Sequence, residues 1–138
     1  MSGSILLINN DLGSLTVLKT ILDNEGYTTY TATNFEDAIS ACKKHEVELA
    51  IIDFLIPGCR GDLMASIFKF INKNLEIIFL SDSEGVYEAV AKLNFPVYGI
   101  FMKPENIDEL LFAIEDIFSK ENEPYQRNTS HKNMIIFE

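Results

Sequence analysis

Cysteine is scarce, positive charge is outnumbered and long apolar runs are missing, and each shortage excludes a class of protein. The only thiols are Cys42 and Cys59, far apart and without CxxC spacing, so neither a disulfide framework nor a cysteine metal site is indicated. His45 and His131 are too distant from one another to complete such a site. Lys and Arg number 11 against 21 Asp and Glu, a formal net charge of −10, and the pI is near 4.6. A surface of that sign repels phosphate backbones and anionic bilayers, so direct nucleic-acid or membrane binding is not expected. The first apolar run, Ile5 to Ile8, is far too short for a signal-peptide core or a spanning helix, and no charged region precedes it, which makes a cytoplasmic protein the expectation. No internal repeat is visible.

What is present is an ordinary core-forming composition, with 47% hydrophobic and 23% charged residues in 138 positions, the size of one domain. Short apolar runs alternate with helical patterns up to about residue 120. The runs are Ile5 to Ile8, Tyr27 to Ala32, Leu49 to Ile52, Ile77 to Leu80 and Val97 to Met102. The first, third and fourth are almost continuously apolar, as strands buried on both faces must be. Between and after them lie five helical stripes: Leu15, Leu18, Ile21 and Leu22; Phe35, Ala38, Ile39 and Cys42; Leu63, Met64, Ile67, Phe68 and Ile71; Val86, Ala89, Val90 and Leu93; and Ile107, Leu110, Leu111, Ile114, Ile117 and Phe118. Gly26 suits a left-handed helix C-cap, Asn34 with Asp37 an N-terminal box, and Asp108, Glu109 and Lys120 complement the dipole of the last helix. Strand and helix in strict alternation predict an α/β domain, (βα)5, with a doubly wound parallel sheet between two helical layers. Residues 1–120 form this domain and 121–138 a polar tail or linker, whose apolar end, Met134 to Phe137, reads first as a short disordered terminus, with an edge strand or a segment docked on a neighbour as the alternatives.

In an open α/β sheet the functional crevice lies beyond the carboxyl ends of the strands. Those ends carry chemistry here. The first strand leads into Asn9, Asn10 and Asp11, the third ends on Asp53, the fourth on Ser81, and the fifth runs into Lys103 and Pro104. An acid, a hydroxyl and a lysine therefore converge on one rim from separate elements.

With these motifs in order, and with Pro57, Gly58 and Gly61 following Asp53, residues 4 to about 120 resemble the receiver domains of two-component response regulators. The resemblance implies the strand order 2-1-3-4-5 and a signalling module, not an enzyme. Its implied chemistry is phosphoryl transfer from a histidine kinase or phosphotransfer protein to Asp53, with Mg²⁺ neutralising the transferring group. Ser81 would bond a phosphoryl oxygen, Lys103 would pair with it, and Pro104 would follow a cis peptide bond. Mg²⁺ would sit among Asp53, Asn9, Asn10 and Asp11. A downstream effector protein or domain would read the surface carrying Tyr98, Ile100 and Phe101, and the reading is compatible with a homodimer.

Three departures bear on that chemistry. Acidic residues usually stand where Asn9 and Asn10 stand, so two formal charges are missing from the cation site and weaker Mg²⁺ binding is expected. Asp82 adds a negative charge beside Ser81, where the family favours a small neutral residue. Ile100 occupies the position of a Tyr or Phe that reports activation, three residues before Lys103. The expectation is an atypical receiver with weak or absent phosphorylation. A phosphorylation-independent pseudo-receiver is the alternative. A small flavodoxin-like enzyme or cofactor carrier is the reading from another class, resting only on Gly13 and Ser14 after the first strand.

Overall fold

The computed structural model describes residues 2–56, 58–103 and 106–119, together with the backbone of residues 135–137. In chain order the elements are β1 (Ser4–Ile8), α1 (Leu12–Asn24), β2 (Thr28–Ala32), α2 (Phe35–Lys44), β3 (Leu49–Asp53), β4 (Leu55–Ile56), β5 (Cys59–Arg60), α3 (Gly61–Ile71), β6 (Glu76–Ser81), α4 (Gly85–Ala91), β7 (Gly99–Met102), α5 (Ile107–Ser119) and β8 (Ile135–Phe137).

The main sheet runs β2-β1-β3-β6-β7-β8, and every neighbouring pair in it is parallel. Its first five strands have the expected order 2-1-3-4-5. Tyr27 lies just before β2, and Val97 and Tyr98 just before β7, so two strands are shorter than their apolar runs. Two pieces of strand stand outside the five expected ones. One is the antiparallel pair β4 and β5, matching Leu55 with Arg60 and Ile56 with Cys59, with Gly58 at φ 93° in its turn, a conformation a side chain would oppose. The other is β8, which extends the sheet beyond β7, so Ile135–Phe137 takes the edge-strand form and not the disordered terminus expected first, while Met134 lies outside the described residues.

The helices divide between the faces of the sheet, and strand periodicity decides which core each residue joins. Leu6 and Ile8 of β1, Ala50 and Ile52 of β3, and Ile77 and Phe79 of β6 pack with Ala38 and Cys42 of α2, Met64, Ala65 and Phe68 of α3, and Val86 and Val90 of α4. Their alternates Ile5, Leu7, Leu49, Ile51, Ile78 and Leu80 pack with Leu15, Leu18 and Leu22 of α1 and Leu110, Ala113, Ile114, Ile117 and Phe118 of α5. Each such aliphatic side chain withdrawn from water stabilises the fold by about 1.5–3 kcal/mol before chain entropy is counted. Leu63 does not join its expected stripe and is exposed.

Local signals set the helix ends. The Gly26 amide donates to the Asp23 carbonyl and the Tyr27 amide to that of Leu22, a Schellman closure of α1 that uses Gly26 at φ 97°. Asn34 Oδ1 accepts from the Asp37 amide at 2.9 Å, and its Nδ2 donates to Asp37 Oδ2 at 3.0 Å, so α2 is capped by the expected pair. Asp108 and Glu109 occupy the first turn of α5, and both of their amides donate to Asn106 Oδ1. Pro57, Pro104, Lys120, His131 and the polar stretch from Gln126 to Asn133 lie outside the described residues. Among the described residues no helix is long and apolar enough to cross a membrane.

Candidate functional site

Asp53 is the last residue of β3, and its register partner is Leu80, one position before Ser81 at the end of β6. The chain then stays tied to the sheet, because the Phe54 amide donates to the Leu80 carbonyl at 2.8 Å and the Lys103 amide to the Ser81 carbonyl at 2.7 Å. These two backbone bonds bring the carboxylate and the lysine to the same rim. Lys103 Nζ donates to Asp53 Oδ2 at 2.7 Å, with side-chain exposures of 28% for the lysine and 5% for the acid. A charge-assisted bond this short and this sheltered is about twice as strong as a neutral one. The other oxygen, Asp53 Oδ1, accepts from the Leu55 amide at 3.3 Å.

Ser81 is buried and closes a local turn: its Oγ accepts from the Ser83 amide at 3.1 Å and donates to the Ser83 carbonyl at the same distance. Asp82 beside it is exposed. On the opposite wall Asn9 is buried, with Oδ1 accepting from the Asp11 amide at 2.9 Å, whereas Asn10 is exposed. Asp11 caps α1: one carboxylate oxygen accepts from the Gly13 amide at 3.1 Å and the other from the Ser14 hydroxyl at 2.8 Å. The Ser14 hydroxyl bond chiefly, then the Gly13 amide, holds the Asp11 carboxyl below its ordinary value, and the positive charge of Lys103 acts in the same direction.

Asp53, Ser81 and Lys103 thus meet at one rim with Asn9 on its wall. The side chains of Tyr98, Ile100 and Phe101 do not form an outer surface, and this corrects the expectation that a partner reads them directly: all three are buried, Ile100 and Phe101 almost completely. Ile100 and Phe101 belong to a strand covered on both faces, and Tyr98, just before it, donates its hydroxyl to Asp116 Oδ2 at 2.7 Å. Cys42 lies on the buried face of α2 and Cys59 in the hairpin; burial raises both thiol pKa values, with the charge of Asp62 adding to the effect at Cys59. Among the described residues no three His, Cys, Asp or Glu side chains converge.

Gly61, one of the motif residues after Asp53, has a packing role that its place in the sequence does not show. A Cβ on Gly61 would come within 2.9 Å of Phe54 Cα, and the Gly61 amide donates to the Phe54 carbonyl at 2.8 Å. The start of α3 therefore presses against the residue that follows Asp53, and only a glycine allows that approach. The β4–β5 hairpin is the loop between these two contacts, and Pro57-Gly58, a turn dipeptide, is its signal.

A doubly wound parallel sheet with a buried carboxylate and a lysine paired at the carboxyl ends of its strands defines the class, a flavodoxin-like α/β domain with its chemistry on the strand-end rim. The family of the response regulator receiver domain matches residues 5–115, and the chain belongs to that family. Receiver domains are signalling modules of two-component systems that interact with histidine kinases or phosphotransfer proteins and with effector domains. The chain is similar to sporulation initiation phosphotransferase F of Bacillus subtilis (strain 168), with 26% identity over 115 residues covering 83% of this chain and 93% of that protein. It is also similar to the aerobic respiration control protein ArcA of Escherichia coli (strain K12), with 25% identity over 116 residues, 84% of this chain but 48% of that protein. The chain therefore spans nearly all of the first relative and about half of the second. Among solved structures, the CheY-like response regulator receiver domain protein from Methanospirillum hungatei JF-1 shares the fold, with a TM-score of 0.79 at 22% identity over 89% of this chain and 99% of that one.

Proposed function

We propose that this receiver is atypical, with Asp53 in the phosphoacceptor position but with Mg²⁺-dependent phosphorylation slow or absent. The observation that carries the reading is the 2.7 Å ion pair between Lys103 and Asp53 Oδ2. A carboxylate accepts a phosphoryl group by in-line attack through one oxygen, and catalysis of that step is mostly positioning and charge neutralisation. In this conformation both oxygens of Asp53 already hold donors, and the rim is neutralised internally without phosphate.

The residues at the cation position do not fit Mg²⁺ well. That ion requires near-octahedral oxygen coordination and is usually held by carboxylates with water. Here Asn9 and Asn10 are amides, Asn9 Oδ1 is turned to the Asp11 amide, and both oxygens of Asp11 cap α1. Of these four residues Asp53 is left as the carboxylate not used as a cap, a donor set too poor in charge for that ion. Asp82 further opposes an incoming phosphoryl group from beside Ser81. Where phosphorylation does occur, the donor would be a histidine kinase or phosphotransfer protein, Ser81 would bond a phosphoryl oxygen, and Lys103 would shift from Asp53 to the phosphate.

The second reading removes phosphorylation altogether and leaves a pseudo-receiver that binds its effector in a single conformation. The inward Tyr98 to Asp116 bond and the aliphatic Ile100 favour it, because neither supplies an aromatic side chain poised between two positions. Intact-mass measurement after millimolar acetyl phosphate and Mg²⁺, with beryllofluoride titration alongside, tests the proposal. The expected result is no stable added phosphate. One added phosphate that disappears in Asp53→Asn, together with loss of effector binding by that variant, would restore a conventional phospho-switch.

A further inference from the structure

The outer edge of β7 is covered, and what covers it belongs to the same chain. β8 pairs with β7 in parallel, Gly99 with Ile135, Ile100 with Ile136 and Phe101 with Phe137. On its other side the Tyr98 amide donates to the Ile77 carbonyl of β6 at 2.7 Å. Successive residues of a parallel strand alternate the direction of their backbone groups. Tyr98 lies before the strand, and within it the Lys103 amide donates to the Ser81 carbonyl of β6 in register with the Ser81–Met102 pair, so Phe101 and Gly99 face β6 as Lys103 does, and Ile100 faces the other way. The backbone donor and acceptor of Ile100 therefore lie on the edge of the sheet that β8 meets. By the same alternation Ile135 and Phe137 are the β8 residues whose backbone groups point back at Ile100.

The edge has a chemistry of its own. Ile100 joins the apolar layer of Val86 and Val90 from α4, and Phe101 joins that of Leu110 and Ile114 from α5. A strand added there extends a sheet with an apolar layer on each face, and such a strand reads as a continuous apolar run. Met134-Ile135-Ile136-Phe137 is such a run, and it follows a stretch of polar residues. Three paired residues are also few for a strand, which makes the contact exchangeable.

We infer that the β7 edge is a strand-docking site for an extended apolar segment, occupied in cis by Ile135–Phe137 and opened to a partner strand when that segment leaves. The C-terminal segment is then a resident competitor for an interaction surface, whether or not Asp53 accepts phosphate. The edge lies directly before Lys103, so exchange there acts on the same strand that presents the lysine to Asp53.

Residue-resolved amide hydrogen exchange on the full chain tests this, with the Gly99 and Phe101 amides, which face β6, as internal controls. Ile100 is expected to be protected in the parent chain. In Phe137→Pro, which removes an amide facing β7, it should exchange about tenfold faster or more while Gly99 and Phe101 are unchanged. A synthetic peptide of residues 133–138 added to the variant should restore protection at Ile100. An unprotected Ile100 in the parent, or protection unaffected by Phe137→Pro, would overturn the assignment of the segment to this edge. Failure of the peptide to protect the variant would overturn the docking site, and protection that rises with chain concentration would overturn occupation in cis in favour of a second copy.

Discussion

Lys103 Nζ and Asp53 Oδ2 stand 2.7 Å apart although 50 positions separate the two residues in the chain. The pair forms because β3 and β7 both border β6 and end at the same rim. Removing only the lysine leaves a carboxylate sheltered from water without its partner. Lys103→Met is expected to lower the unfolding free energy by about 1–3 kcal/mol, and Asp53→Asn combined with Lys103→Met to lower it by less than the two single changes together. Urea titrations of the parent, the two single variants and the double variant give the coupling directly, and additive losses would refute a functioning ion pair.

Restoring the acids should bring back a metal response. In Asn9→Asp with Asn10→Asp the new carboxylate at position 9 is buried beside Asp53, so the protein without metal should lose about 1–2 kcal/mol through like-charge repulsion. Millimolar Mg²⁺ should recover that loss in the variant and leave the parent nearly unaffected. Melting temperatures with and without Mg²⁺ decide it; a variant that melts no lower than the parent in chelator contradicts the repulsion argument.

The Asp11 cap predicts an acid-side effect of defined sign. Its folded carboxyl titrates below 3.8, the ordinary value, chiefly because of the Ser14 hydroxyl. A depressed folded pKa gives stability that is present above the unfolded value and disappears as pH falls through the folded one. Ser14→Ala should raise the Asp11 pKa towards 3.8 and flatten the contribution of this group to acid unfolding. Carboxyl carbon titration by NMR reads the shift, and an unchanged midpoint would assign the effect to another donor.

Tyr27 offers a change in the opposite direction. Among the described residues its hydroxyl is buried without a hydrogen-bond partner, and burial raises its pKa. A buried polar group left unsatisfied costs free energy that its apolar counterpart does not. Tyr27→Phe should therefore be neutral or stabilising, by up to about 1 kcal/mol. A clear loss of stability in thermal unfolding would show that the hydroxyl is satisfied in solution.

Gly61→Ala should be costly despite its size. The added methyl meets backbone at Phe54 Cα, which cannot rotate aside as a side chain can, and a loss of about 1–3 kcal/mol is expected. Because Phe54 follows Asp53, the chemical shifts of Asp53 and Lys103 should move as well. Parent-like stability and unmoved shifts would mean that the hairpin yields without disturbing the rim.

The inner strands of the main sheet were legible because burial on both faces makes them continuously apolar, as in Ile5 to Ile8 and Leu49 to Ile52. The rim was legible because Asp53, Ser81 and Lys103 are polar residues placed where such strands stop. The same continuity misleads at Tyr98, Ile100 and Phe101, where a place near the expected output face does not bring exposure; a strand between two helical layers hides both of its faces. Leu63 departs for the reverse reason, since a helix bordering solvent can carry an apolar residue on its outer side without packing it. The β4–β5 hairpin is two residues a side, too short for any periodicity to show.

Ile8 is the last residue of β1 paired to both neighbours, and Asn9 continues only through its backbone, donating its amide to the Ala32 carbonyl at 3.1 Å. That bond is indifferent to the side chain. The positions that set charge at the rim thus lie just past the positions that hold the core, and Asn and Asp codons differ by a single nucleotide. Two point changes at positions 9 and 10 alter the charge of the rim while every strand stays in register, so the scaffold and the chemistry it carries can vary independently of one another.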